Sequence, residues 1–260
     1  MDKTEEKVTQ EVYTHNLEET VDLISTLIED YPIISLDSEF PGSCCKPIGT
    51  FTSQSNYLYQ QVRANTTLMN IIQLGITLSD SNGNKPEIST FQFNFKFDLT
   101  KELGKIQSIN LLKNSKIDFE KNLQEGIESR HFGDVMLTSN ILFNPKLIWI
   151  SFHGVYDFAY IMKTLMNQLP ETLTDFDKNI KNIFRNFFDL KFLLRNSKFL
   201  KKGLQDIANE FYIERSGVMH QAGSDSLLTC DLYFELLKKN VIDIEKGKCK
   251  LFGLEDDCLF

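Results

Sequence analysis

The chain has 260 residues, with 28 Lys and Arg against 36 Asp and Glu, for a formal charge of −8. Apolar residues at 42% and charged residues at 25% exclude the low-hydrophobicity composition that keeps a chain disordered. The acidity excludes a binder that grips nucleic acid through a broadly basic face, but not an enzyme that holds phosphate through metal ions.

A chain of this length can bury roughly three quarters of its surface as one α/β unit. One domain over 1–260 is therefore expected, its core running over about 15–255 behind a short polar lead-in. Apolar runs such as Leu147-Ile148-Trp149-Ile150 fall far short of the roughly 20 residues of a membrane helix, so no membrane partner is expected. Met1-Asp2-Lys3-Thr4-Glu5-Glu6-Lys7 is polar and mixed in charge, unlike a secretory or transit segment. The five cysteines have no C-x-x-C spacing, and Cys44 and Cys45 could pair only through a strained ring. A reducing compartment, cytoplasmic or nuclear, fits that usage.

Leu17, Val21, Ile24, Leu27 and Ile28 recur at helical spacing, with Asn16 as a cap and Pro32 as a stop. Ile33 to Phe40 is a β-branched run bounded by Pro41-Gly42 and predicts a strand. A polar, aromatic-dotted segment leads to a second strand at Ile71 to Leu78. Asn82-Gly83 is a turn signal, and Phe91, Phe93, Phe95 and Phe97 then alternate with polar residues, as in a strand with one buried face. These two strands should pair antiparallel. The pattern is helical from Ser108 to Phe143 and returns to a strand at Leu147 to Phe152. A short Phe187-Phe188-Asp189 segment and helices near Leu204 to Tyr212 and Ser224 to Lys239 follow. The order implies a mixed sheet with helices on its faces.

Asp37 and Glu39 leave the same face of their strand, and a pair of divalent ions with hard oxygen ligands would relieve their repulsion. A strand-end pair facing water is the alternative. Asp157 follows the Leu147 to Phe152 strand and opens a helix, where it could be a metal ligand or a carboxylate complementing the helix dipole. His220 and Asp225 lie five residues apart, about 140° on a single helix. Gly223 and Ser224 instead suggest a loop running into a helix cap, with His220 on the loop and Asp225 in the first turn.

D-x-E, a later Asp at a strand-helix junction and H-x4-D opening a final helix occur in the order of the DEDDh exonucleases. Leu36-Asp37-Ser38-Glu39-Phe40-Pro41-Gly42, Ile71-Ile72-Gln73-Leu74-Gly75, Phe91-Gln92-Phe93-Asn94-Phe95-Lys96-Phe97, Phe152-His153 with Tyr156-Asp157-Phe158, and His220-Gln221-Ala222-Gly223-Ser224-Asp225-Ser226-Leu227-Leu228-Thr229 resemble the Caf/Pop catalytic subunit of the Ccr-Not deadenylase complex. That resemblance implies an α/β fold, a ribonuclease H-like mixed sheet flanked by helices. It implies a 3′ to 5′ exoribonuclease that shortens poly(A) RNA and releases 5′-AMP, the alternatives being a general DEDDh exonuclease on DNA or short RNA, or an adaptor subunit whose active site is dispensable. Asp37, Glu39, Asp157 and Asp225 match the family's carboxylates for two Mg²⁺ ions, with Mn²⁺ or another divalent ion as alternatives, and His220 matches its general base. The implied partners are the Not scaffold subunit and a second nuclease subunit. His153-Gly154-Val155 and Ala159 depart from the family's Ser-Gly loop and Gly, as Cys44-Cys45 does from its small residues.

For substrate grip, Phe40 beside the carboxylates and His153 in the strand-end loop are candidates. Lys202 is a third, from the basic stretch of Lys181, Arg185, Lys191, Arg195, Lys198, Lys201 and Lys202. The same stretch could be a solvated helical face. Asp189 resembles a family motif but suits a helix cap.

Overall fold

The computed structural model describes residues 9–255, so Met1 to Lys7 and Cys258 lie outside the described residues. In chain order the elements are β1 (Thr9–Val12), α1 (Leu17–Leu27), β2 (Ile33–Glu39), α2 (Gln54–Leu68), β3 (Gln73–Ser79), β4 (Thr90–Asn94), α3 (Ile106–Asn114), α4 (Phe119–Glu125) and α5 (Ser129–Thr138). Then come β5 (Ile148–Ser151), α6 (Val155–Met166), α7 (Leu173–Phe184), β6 (Phe187–Asp189), α8 (Leu190–Leu193), α9 (Leu204–Glu210) and α10 (Ala222–Lys238). The strands form one sheet in the order β1-β4-β3-β2-β5-β6. β2, β3 and β4 pair antiparallel, whereas β1 joins β4, β5 joins β2 and β6 joins β5 in parallel.

The alternation of side chains along each strand divides the sheet into two unlike faces. Ile34, Leu36, Leu74, Ile76, Leu78, Phe91 and Phe93 share one buried cluster with Val21 and Ile24 of α1, Phe132 of α5 and Phe158 of α6. The other face carries Ser35, Asp37, Gln73, Gly75, Thr77, Ser79, Thr90, Gln92 and Asn94. It is roofed by α10, whose first half is equally small or polar: Ala222, Gly223, Ser224, Ser226, Thr229 and Cys230 are buried. Thr77 Oγ1 lies 2.9 Å from both Thr90 Oγ1 and Ser226 Oγ, so hydroxyls join sheet to helix where apolar packing would be usual.

Several sequence expectations change in detail. Gln92 and Asn94 face α10 rather than water, so both faces of β4 are buried. The strand ends at Asn94, and Phe95 continues only as a bridge to Ile127. The stretch from Ser108 to Phe143 is three helices, broken at Ser115 and Gly126. Asn16 occupies the N-cap position of α1, but its side chain accepts from Tyr13 N instead of capping the helix. Thr9 to Val12 of the lead-in is a strand, and the polar segment before β3 contains α2, whose buried side mixes Tyr59 and Val62 with Ser55, Asn65 and Thr66. That mixture hides the helical period.

Gly75 sets the spacing between sheet and roof. It pairs in register with Asp37, and a Cβ built on it would lie 1.9 Å from the carbonyl oxygen of Ala222 and 2.5 Å from Gly223 N. Any side chain here would push the start of α10 off the sheet.

On the apolar face, Phe93 is fully buried and meets Phe132 edge to face at 5.4 Å. Phe93→Ala is expected to cost about 3–5 kcal/mol in urea unfolding; a change near zero would contradict this assignment of the core.

Candidate active site

The carboxylates reach one end of the sheet from three directions. β2 and β5 run parallel, so both point their C-terminal ends toward the same edge, where open α/β sheets place their ligands. Asp37 and Glu39 lie at the end of β2, facing α10. After β5 the chain turns through His153, at φ 64°, and Gly154 into α6, with Asp157 in its first turn. A Cβ on Gly154 would sit 2.2 Å from Ser151 Oγ and 3.4 Å from Asp157 Oδ2, so glycine lets this turn close tightly. α10 enters from above with Asp225 in its first turn.

Each group is held by named partners. Ser38, between the two carboxylates of β2 but on the opposite face, donates its hydroxyl to Asp157. Asp225 accepts from Arg215 Nη2 at 2.7 Å and from the backbone N of His220 at 2.9 Å. His220 sits at φ 63°, so the bond to Asp225 fixes an unfavourable backbone geometry directly beside the site. Arg215 also donates to Gln205 of α9 and to Ser224, tying the 211–220 loop to both helices. Glu39, His220 and Asp225 each present a ligand atom within 4.8 Å of the others.

The electrostatics follow from crowding. Asp37 titrates well above the usual carboxylate range, chiefly because it is surrounded by protein and then because Asp157, Asp225 and Glu39 are close; Arg215 opposes this. Burial first, then Asp225 and Asp157, push Glu39 up to about 8. Burial raises Asp157 to about 7, against the Ser38 hydroxyl that favours its anion. Asp37 and Glu39 still keep part of their surface exposed, so the cluster is open to an incoming ion. Four carboxylates thus face one guanidinium. This oxygen-rich, anionic set fits hard divalent ions such as Mg²⁺ or Mn²⁺.

The other expected substrate residues lie around the rim. Phe40 stacks on Tyr156 at 4.8 Å and against Tyr160 at 5.2 Å, leaving it half-buried beside Glu39. The His153 ring meets Phe252 edge-on at 5.3 Å, while its backbone N donates to Asp189. Asp189 is a cap, as its sequence context suggested: it accepts from Lys191 N, and its second oxygen accepts from Phe252 N. The Lys202 ammonium pairs with Glu210, which also holds Lys198 at 3.5 Å; one carboxylate offsets one of these two partly exposed cations. Sequence reasoning missed Ser38, Arg215 and Gly75. Ser38 and Gly75 sat within quoted motifs, whereas Arg215 carried no spacing signal.

The raised carboxylates have a testable consequence. Between the ordinary 4.5 of Glu39 and its folded value of about 8, the folded state holds a proton that the unfolded chain has released. Stability of the metal-free protein therefore falls as pH rises through that window. The Tm in EDTA is expected to drop from about pH 6 to about pH 8.5, and Mg²⁺ or Mn²⁺ to raise it more at the higher pH. A flat profile, or an equal metal effect at both pH values, would contradict the cluster electrostatics.

Residues 12–134 and 132–233 match the CAF1 family ribonuclease. The poly(A) ribonuclease pop2 of Schizosaccharomyces pombe is 42% identical over 229 residues, covering 87% of this chain and 68% of that protein. Its structure in the Mg²⁺- and Mn²⁺-bound form superposes with a TM-score of 0.91 at 40% identity, covering 95% of this chain and 99% of the other. Yeast CAF1, co-crystallized with the NOT1 MIF4G domain, gives a TM-score of 0.79 at 29% identity, with 97% and 99% covered. Escherichia coli exonuclease I, 15% identical with a TM-score of 0.55 over 80% of this chain and 41% of that one, shares the fold alone. The expected ribonuclease H-like mixed sheet is thus borne out, and the chain belongs to the CAF1 family of ribonucleases.

Proposed function

We propose that the chain is a metal-dependent 3′ to 5′ exoribonuclease that shortens poly(A) tails, acting as one exonuclease domain. The observation that carries this reading is the meeting of Asp37, Glu39, Asp157, Asp225 and His220 at one sheet edge, in a chain 42% identical to a poly(A) ribonuclease. Two divalent ions bound by the four carboxylates would supply an activated water and offset the charge on the phosphate and the leaving oxygen.

The protein's own groups do the rest. Asp37 and Glu39 project from a strand held in register against Gly75 and Gln73 of β3, so their separation is fixed before any ligand arrives. Ser38 orients Asp157, and Arg215 orients Asp225. The His220 imidazole takes a proton from the attacking water as the new P–O bond forms. The bond to the 3′ oxygen breaks, that oxygen takes a proton from solvent while the His220 imidazolium returns one to solvent, and AMP leaves with its 5′ phosphate. Phe40, backed by Tyr156 and Tyr160, offers an aromatic surface for a terminal base.

A NOT1-type scaffold is the inferred partner, since yeast CAF1 was crystallized with the NOT1 MIF4G domain. A second nuclease subunit would belong to the same assembly. The cytoplasm and the nucleus, where mRNA carries its tail, are the compartments this reading implies.

Poly(A) RNA, mixed-sequence RNA and single-stranded DNA should be degraded in that order of rate in Mg²⁺, and again in Mn²⁺; comparable rates on all three would contradict tail specificity. Asp37→Ala is expected to abolish metal-dependent turnover and weaken Mn²⁺ binding measured by calorimetry. His220→Ala should lose about 10²- to 10⁴-fold in kcat, as for removal of a general base, with Mn²⁺ affinity unchanged. A parallel loss of Mn²⁺ affinity would make His220 a ligand instead.

A further inference from the structure

α10 begins without a cap of its own: Gln221 is at the N-cap position, and its side chain makes no capping bond. The first amides of a helix need acceptors when they are buried. Here the sheet supplies them. Ala222 N donates to Gln73 Oε1 at 3.3 Å, and Gly223 N donates to Gln92 Oε1 at 2.9 Å. Gln73 and Gln92 both direct Nε2 to Gln221 Oε1, at 3.2 and 2.8 Å, and Gln73 Nε2 also reaches Asn94 Oδ1 at 2.7 Å. Gln73, Gln92 and Asn94 are at most 4% exposed.

The far end of this chain is Glu11, an exposed residue of β1. Its carboxylate accepts from Gln92 Nε2 at 3.0 Å and from Asn94 Nδ2 at 2.7 Å. An ionised carboxylate only accepts, and a backbone N–H only donates. The amides between them can therefore satisfy both ends in one orientation alone: nitrogen toward Glu11, carbonyl oxygen toward α10.

We propose that Glu11 is a positioning residue for the nuclease site, acting through Gln92, Asn94 and Gln73 to seat the start of α10. The segment so held, 221–223, lies between His220 and Asp225, the two site residues that come from outside the sheet. The inference rests on the exonuclease reading of that site. The edge strand β1 then contributes to assembly of the site although it carries none of its ligands.

Glu11→Gln tests this because its NH₂ would confront the Gln92 or Asn94 nitrogen, and flipping Gln92 would set its NH₂ against Gly223 N–H. The expected result on poly(A) is a fall in kcat of about tenfold with KM changed by less than about twofold. The NMR amide signals of Ala222 and Gly223 should shift in the same variant, while the circular dichroism spectrum stays that of wild type. Glu11→Asp keeps the acceptor-only group and should retain roughly half the wild-type kcat. In a Gln92→Leu background, Glu11→Gln should change kcat by less than about twofold, because the new amide can then turn its oxygen to Asn94 Nδ2 with no second NH₂ opposing it. Unchanged kcat and unchanged Ala222 and Gly223 signals in Glu11→Gln, with Asp225→Ala inactive, would overturn the proposal. An active Asp225→Ala would instead overturn the site assignment beneath it.

Discussion

The structure turns on the contact between the first turn of α10 and Gly75 of β3. A helix backbone can lie this close to a strand only where the strand has no side chain, and 1.9 Å from an added Cβ to the Ala222 oxygen leaves no room for one. Gly75 stands next to Asp37 in register, so the contact sets the height of Asp225 above Asp37.

The chemistry of the two faces explains how so close a contact is stable. The face toward α1, α2, α5 and α6 is filled by aromatic and aliphatic side chains, which supply most of the burial. The face under α10 is polar, and Gln73, Gln92, Asn94, Thr77 and Thr90 are paired with each other or with the helix. Such pairing favours one arrangement, because a slip would leave these buried groups without partners. At the edge of that face Asp37, Glu39 and Asp157 are buried and crowded until their pKa values rise, so the protein concentrates uncompensated charge where a divalent ion can relieve it. The overall charge of −8 partly reflects this concentration of acids in a site suited to metal.

Much of this was legible in the sequence, and the failures have physical causes. Asp37, Glu39, Asp157, His220 and Asp225 were identifiable through the order of D-x-E, a later Asp and H-x4-D that resembles the DEDDh exonucleases and the Caf/Pop family, since each position read alone left a structural alternative open. The strands β2, β3 and β5 were legible through their β-branched runs. By contrast, α2 hid its period behind Ser55, Asn65 and Thr66, which are buried and polar. Gln92 and Asn94 looked solvent-facing because alternation normally means water on the polar side; here that side is covered by a polar helix face about 130 residues distant in sequence, as the Gln92 bond to Gly223 shows. Arg215 escaped notice for a similar reason: a cation's role depends on which acid the fold brings to it.

The central claim is that three separate segments, 37–39, 153–157 and 220–225, build a single ion-binding centre at the Gly75 contact. Paramagnetic broadening of backbone amide signals during Mn²⁺ titration of the wild-type chain tests it most directly. The account predicts that signals from all three segments broaden together at the first additions of Mn²⁺, ahead of those from acidic surface positions such as Glu18 and Asp22. Broadening confined to one segment, or appearing first at the surface acids, would contradict it.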